Sequence, residues 1–306
     1  MKKWVLKAVI QKTISYLPGK HRLNYLFQRY VTRGVQLSDE YFEDKLIHFR
    51  EHLDFLERGG TDLRGKTTLE LGTGWYPVVP LCCFLAGADR IISVDISELM
   101  SAQNLRDTAH RLLRAVETGE TTPYFTPLPE RLAALRAAVA ETSTRAELLA
   151  RLHFDYRTTD ARTLELPSAS VDFFHSNNVF EHIYFDVLED ILCHFQTFAA
   201  PGAHMSHFVD MSDHFAHLDD SISIYHFLKY DERTWRRIDN DIQPQNRRRL
   251  PHYRDLYARL GLPISKERAR PGDLTALRAE PLAAEFAALP EAEVAKSHVY
   301  LFSQLP

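Results

Sequence analysis

The chain has 306 residues, of which 45% are hydrophobic and 25% charged, with three cysteines and a net charge of -4. That is the composition of an ordinary globular protein, and its acidity argues against a dedicated nucleic-acid binder. No run of about 18 apolar residues is present to span a bilayer. Cys82, Cys83 and Cys193 are too few and too scattered for a disulfide framework or a zinc knuckle, which fits a reducing, cytoplasmic setting.

From Met1 to Ser38 there are eight Lys or Arg residues and no acid. The opening "MKKWVLKAVIQKTISYL" lacks an unbroken apolar run and a small-residue cleavage site, so it is not read as a signal peptide. It reads as an amphipathic helix with Trp4, Val5, Ala8, Val9 and Leu17 on one stripe. Lysines beside an apolar stripe also suit a membrane surface. The further apolar and aromatic residues Tyr16, Leu23, Tyr25, Leu26, Phe27 and Tyr30 favour a helical lid over residues 1–62, its lysines facing solvent, with no integral membrane association. "SDEYFEDKLIHFREHLDFLERGG" follows as a helix capped by Ser38 and stopped by glycine.

"KTTLELG" is then a short apolar strand ending at glycine, and "VVPLCCFLAGA" the next helix, with Pro80 tolerable in its first turn. "RIISVDIS" is a second strand ending in an acid, and a helix runs from Glu98 to Val116. Residues 117–153 read as a helical insertion, either a substrate wall or a surface elaboration. Three strand candidates follow, "FDYRTTDA", "VDFFHSN" and "AHMSHFVDM", the last two separated by helical "FEHIYFDVLEDILCHFQTFA". The tail offers a helix at "PHYRDLYARLG", a strand at "LPISKERA", a helix near 281–289 and a last strand "HVYLFSQ". Strands alternating with helices predict a doubly wound α/β domain over 63–306, whose ligands bind beyond the strand C-termini.

The first of those C-termini is "TLELGTGWYP". Gly72 and Gly74 permit a tight turn and close backbone approach to a ligand. A dinucleotide loop would carry a third small residue, where this chain has Pro77, preceded by Trp75 and Tyr76. Glu70, beside the turn, suits a ligand bearing an amine or other cation. Asp95 ends the second strand, 21 residues after Gly74, where an acid can accept from both hydroxyls of a ribose. Asp160 and Ala161 follow the third strand, placed to meet an adenine amino group. Asn177 and Asn178 close the fourth.

These segments together resemble the class I S-adenosylmethionine-dependent methyltransferases. "ELGTG", "VDIS", "TDAR", "VDFFHSNNVFEHI" and "FQTFAAPGAHMSHFVD" are similar, in order, to that family's motifs. The resemblance spans roughly residues 65–210. It implies a Rossmann-like fold with a mainly parallel seven-stranded sheet and S-adenosyl-L-methionine as cofactor. The implied cofactor-binding set is Glu70, Gly72, Thr73, Gly74, Asp95, Ile96, Asp160, Ala161, Asn177 and Asn178. Tyr76 stands where the family usually has a glycine, and the gap from Asp95 to Asp160 is long. Trp75 and Tyr76 are expected to line the sulfonium pocket through cation–π attraction, or Trp75 to pack beneath the loop.

Histidine is abundant, with 15 in the chain. His204, His207, His214 and His217 lie close in sequence with Asp210 and Asp213, but His204 and His207 are three apart on a strand and point to opposite faces, so no metal is expected. His182, His214 and Asp210 follow strands four and five and are the candidate catalytic residues, a neutral imidazole serving as base for an attacking hydroxyl. "QNRRRLPHYRDL" could bind an anionic group of the substrate or be a solvated helix start. The expected activity is in-line methyl transfer to a small-molecule acceptor, without nucleic acid, since "SNNVF" replaces the Asn/Asp-Pro-Pro-aromatic segment of nucleic-acid N-methyltransferases. Two rivals use the same motifs. One consumes the cofactor by 3-amino-3-carboxypropyl transfer or by ring closure, as azetidine-2-carboxylate synthases do, releasing methylthioadenosine. The other is a non-catalytic partner protein. Neither the acceptor nor the oligomeric state is legible.

Overall fold

A computed structural model describes residues 2–17 and 36–305. In chain order the elements are α1 (Lys3–Ser15), α2 (Asp39–Arg58), β1 (Thr67–Leu71), α3 (Val78–Leu85), β2 (Arg90–Asp95), α4 (Ala102–Glu117), α5 (Pro129–Glu141), α6 (Arg145–Arg151) and β3 (Phe154–Thr158). Then come β4 (Val171–Asn177), α7 (Phe185–Gln196), β5 (Ala199–Asp210), α8 (Glu232–Ile238), α9 (Leu250–Arg259), β6 (Ile264–Arg270), α10 (Leu274–Arg278), α11 (Ala284–Ala287), α12 (Glu291–Ala295) and β7 (His298–Gln304).

The strands form one seven-stranded sheet in the order β3-β2-β1-β4-β5-β7-β6. β1 runs parallel to β2 and β4, with Leu69 opposite Ile92 and Phe174, and β2 runs parallel to β3. This is the expected Rossmann-like, doubly wound α/β fold. The chain winds outward from β1 to β3 and returns at β4. The reversal falls between β1 and β4, the kind of crevice where open α/β sheets hold their ligands.

The chain divides into two compact units. The larger comprises Gln36–Asn177, Ile191–His207 and Phe302–Pro306; the smaller comprises Met1–Val35, Asn178–Asp190 and Phe208–Leu301. In the larger unit α2 starts where Ser38 Oγ accepts the Tyr41 amide at 3.2 Å, with Asp39 and Glu40 in the first turn and Gly59 at the C-cap. The acids favour the positive end of the helix dipole. Its stripe of Phe42, Leu46, Phe49, Leu53 and Leu56 is buried in one core with α3, α4 and β2. Each such side chain contributes roughly 1.5–3 kcal/mol, so α2 is tied to the sheet. α3 is buried at every residue, as a helix apolar all round must be. Leu135, Val139, Leu148 and Leu152 of the predicted insertion join the same core. Most of that segment is therefore a helical layer, closed by a Thr144–Glu147 capping box before α6.

In the smaller unit α1 packs by Trp4, whose ring lies 4.8 Å from His226 and 6.1 Å from Phe215. The expected stripe is displaced. Val9 is 54% exposed and Leu17 is also exposed, while Ala8 and Gln11 are the buried residues of the helix. Lys7 and Lys12 do not face solvent freely: Lys7 Nζ donates to His214 O at 3.3 Å and Lys12 Nζ to Asp239 O at 2.6 Å. The reason is tertiary: carbonyls of loops far away in the chain accept from the ammonium groups, and the long stems cover apolar surface on the way. Leu23, Tyr25, Leu26, Phe27 and Tyr30 lie outside the described residues. Among the described residues no helix is long and apolar enough to cross a membrane.

Candidate cofactor cradle and histidine cluster

The turn after β1 needs its glycines. Gly72 has φ 74° and Gly74 φ 69°, a region costly for residues with a Cβ. Gly72 N donates to Val94 O at 2.8 Å, binding the turn to β2. Gly74 N donates to Asp95 Oδ2 at 3.0 Å, and Ser97 N donates to Oδ1 at 3.2 Å. Asp95 thus organises the glycine loop as well as ending its own strand. Burial raises its pKa, opposed by the amides of Gly74, Ser97 and Ile96.

Glu70 is buried at the base of this loop. Burial pushes its pKa up to about 8, with Asp95 adding to the shift and Thr73, Lys45 and Asn177 opposing it. His175 Nδ1 lies 3.6 Å away, but burial lowers the His175 pKa far below its usual value. Near pH 7 both groups are mostly neutral, so the contact is not an ion pair. Three buried polar atoms gather around the turn, Glu70 Oε2, Thr73 Oγ1 and Asn177 Nδ2; Thr73 and Asn177 act on Glu70, but none of the three atoms is satisfied with good geometry. Buried polar atoms are rarely left so, and an acceptor, a hydroxyl and an amide donor together fit a ligand bearing both an ammonium and a carboxylate.

Helix α2 supplies residues that reading the sequence missed. His52 Nε2 meets Asn177 Oδ1 at 3.0 Å, and its Nδ1 meets Ser206 Oγ at 2.6 Å. The amide oxygen needs a donor, so Nε2 carries the proton and Nδ1 accepts from the serine. This fixes Asn177 with its Nδ2 turned to other use. Burial drops the His52 pKa to about 3 and keeps the ring neutral. Tyr41 and Lys45 from the same helix lie near enough to Glu70 to interact electrostatically. No motif marks these positions; α2 reads as an amphipathic helix and nothing more.

The remaining cradle residues divide. Ile96 is 71% exposed at the end of β2, an apolar side chain left open beside Asp95 and suited to a flat ring. Ala161 is buried. Asp160 is already engaged: its carboxylate accepts from the Arg162 guanidinium at 2.6 Å and from the Arg162 amide at 2.9 Å. Tyr76 is half-buried, its ring 6.0 Å from that of Tyr41. Trp75 is likewise half-buried.

Asn178, His182, Asp210 and His214 belong to the smaller unit. Asn178 adopts φ 60° and donates its amide to Phe208 O at 3.1 Å. His182 and His214 are neighbours, with ring centroids 4.8 Å apart. Asp210 sits between two imidazoles, 3.3 Å from His214 Nε2 and 3.3 Å from His298 Nε2. Contact with His214, together with His298, holds its carboxyl well below the usual range despite burial. Burial, chiefly, lowers the His182 pKa to about 3. At neutral pH that ring has a lone pair to give but is a weak base, since general bases work best with a pKa near the working pH. The histidines of β5 have other partners: His207 Nδ1 meets Ser176 Oγ at 2.8 Å, and His204 packs edge-on against Phe55.

The basic run divides: Arg248 is exposed, whereas Arg247 and Arg249 are buried. Arg249 is fully buried and donates to the carbonyls of Met211, Val294 and Lys296. Burial pushes its pKa down to about 10. Arg247 is buried too, donating to Phe227 O and Tyr230 O and pairing with Glu232. Both tie loops of the smaller unit together. Arg249→Met should therefore lower the stability of the chain by about 3 kcal/mol, because three carbonyls lose their donor. Urea unfolding of the variant checks this, and wild-type stability would refute it.

No protein-family model matches the chain, and no curated protein does. Solved structures do resemble it. A S-adenosylmethionine-dependent methyltransferase from Mesorhizobium loti is 14% identical with a TM-score of 0.42, over 82% of this chain and 95% of that one. Geranyl diphosphate C-methyltransferase from Streptomyces coelicolor A3(2) is 11% identical with a TM-score of 0.48, over 89% and 86%. Phosphoethanolamine N-methyltransferase 2 from Haemonchus contortus is 13% identical with a TM-score of 0.48, over 92% of this chain and 59% of that one. At such identities the likeness is one of outline, and a functional reading has to rest on the residues of the cradle.

Proposed function

We propose that the chain is an S-adenosyl-L-methionine-dependent methyltransferase acting on a small-molecule acceptor. The observation that carries the proposal is the cluster of buried polar side chains, Glu70, Thr73 and Asn177, only imperfectly satisfied by one another, around a glycine turn that is hydrogen-bonded to Asp95. When bound, S-adenosyl-L-methionine supplies a methyl group activated by its sulfonium. The chain's own residues do the rest. Glu70 and Asn177 hold the amino-acid end, Asp95 accepts from the ribose hydroxyls, and Ile96 and Ala161 flank the adenine. Asp160 meets the adenine amino group only by sharing its carboxylate with Arg162. Trp75 and Tyr76 offer ring faces to a positive charge. Catalysis is then mainly alignment and exclusion of water.

The test is product analysis with the full chain. S-adenosylhomocysteine should raise the melting temperature, since a ligand selective for the native state stabilises it. Turnover with an acceptor library should yield S-adenosylhomocysteine. A protein stabilised by NAD and indifferent to S-adenosylhomocysteine would refute the cofactor, and methylthioadenosine formed without an acceptor would refute methyl transfer.

A further inference from the structure

Glu181, His182 and His214 each bring one ligand atom to within 4.8 Å of the others. We propose that these three residues of the smaller unit seat one divalent transition-metal ion. The proposal concerns residues of the smaller unit alone and stands or falls without the methyl-transfer reading.

The arrangement around the imidazoles is that of metal ligands. His182 Nδ1 lies 2.7 Å from Pro244 O. A carbonyl only accepts, so Nδ1 carries the proton and Nε2 keeps its lone pair. A backbone carbonyl behind a ligating imidazole fixes both tautomer and ring orientation. His214 Nε2 is buried with Asp210 Oδ2 3.3 Å away. A carboxylate beside that imidazole adds negative potential where a cation would sit. Glu181 is 3% exposed, and its carboxylate is the third ligand atom within 4.8 Å of the two imidazoles.

The other charges nearby are consistent with this. Lys7 from α1 donates to His214 O and acts electrostatically on His182, and opposes an ion. Glu181 and Asp210 supply negative charge against that ammonium, the Arg249 guanidinium also acts on Asp210, and Asp213 attracts Lys7. His217 stacks on His214 at 5.2 Å and His298 shares Asp210. Neither is needed as a ligand.

Ligand type selects the ion. Two imidazoles and one carboxylate suit Zn2+, Fe2+ or Co2+ rather than Mg2+ or Ca2+, which prefer oxygen. Metal–ligand bonds of about 2 Å place tetrahedral ligand atoms roughly 3.4 Å apart. Binding would draw the three ligand atoms from within 4.8 Å to that spacing, and three protein ligands leave the fourth tetrahedral position for an exogenous oxygen.

The experiment uses the full-length protein, stripped with chelator, loaded separately with Zn2+ and Mg2+, desalted and measured for metal content. The expected result is retention of about one Zn2+ per chain and no Mg2+, as a single nitrogen-rich site requires. His214→Ala and Glu181→Gln should each weaken Zn2+ binding by about 10–100-fold or more. Each should keep a wild-type circular dichroism spectrum and cooperative urea unfolding, which report that the chain is folded. Loading with Co2+ covers the case in which a variant does not fold. A wild-type visible spectrum with the strong absorption of a four-coordinate, imidazole-bound ion supports the site. A spectrum like that of hydrated Co2+, absence of Zn2+ retention, or retention unchanged in both variants overturns it.

Discussion

Asp95→Ala is expected to reduce affinity for S-adenosylhomocysteine by about 100-fold or more, because a charged acceptor in each of two ribose hydrogen bonds contributes about 1.5–3 kcal/mol. The same change removes the acceptors of the Gly74 and Ser97 amides, so the free protein should lose about 1–2 kcal/mol as the turn loosens. Asp95→Asn separates the two effects. An amide oxygen can still accept from one loop amide, so the fold recovers more than binding does. Calorimetric titration of the three proteins, alongside their urea unfolding, measures both quantities. Wild-type affinity in Asp95→Ala would remove the ribose role and with it the placement of the cofactor.

Glu70 gives the second large effect, and its sign is unusual for an acid. The folded-state pKa of about 8 lies above the ordinary 4.5, chiefly through burial. Below 4.5 the group is protonated whether folded or unfolded and contributes nothing. Between 4.5 and 8 the unfolded chain has released the proton and the folded chain retains it, so stability falls as pH rises through this window and levels off above it. Glu70→Gln removes that penalty. The free variant should be more stable than the wild type at pH 8.5 by a few kcal/mol, with roughly 5 kcal/mol as the ceiling, and little different at pH 4.5. Binding behaves oppositely. A ligand ammonium draws Glu70 into its charged form, so wild-type affinity for S-adenosylhomocysteine should rise between pH 6 and 8 with release of a proton. The glutamine variant should bind about tenfold or more weakly at pH 8 and show a flat profile. Urea unfolding at the two pH values and titrations in buffers of different ionisation enthalpy test both halves. A wild-type affinity independent of pH would show that Glu70 does not face the ligand's amine.

Much of the cradle was legible because its information is local. A strand buried on both faces reads as an apolar run, and a turn at positive φ reads as glycine. "TTLELGTG" therefore announced β1 and its loop, and the acid ending "RIISVD" announced a partner that the structure joins to Gly74. The alternation of strand and helix patterns, with the family motifs, gave the winding of the sheet. The mistaken expectations concerned residues with long or ambivalent side chains. Lys7, Lys12, Arg247 and Arg249 look like solvent-facing charge in one dimension. Their fate depends on carbonyls from segments far away in the chain, at Asp239, Met211 and Val294 among others.

What the sequence determined by itself is the order of elements, the glycine turn and the acid at the end of β2, since each follows from backbone conformation and burial periodicity within a few residues. Only the tertiary structure decided that His52 from α2 orients Asn177, 125 positions away, and that His214 comes beside Glu181 and His182 across more than thirty residues. Histidine carries no periodic signal of its own. It can be core, ligand or surface, and which of these it becomes is set by the donors and acceptors that folding places at its two nitrogens.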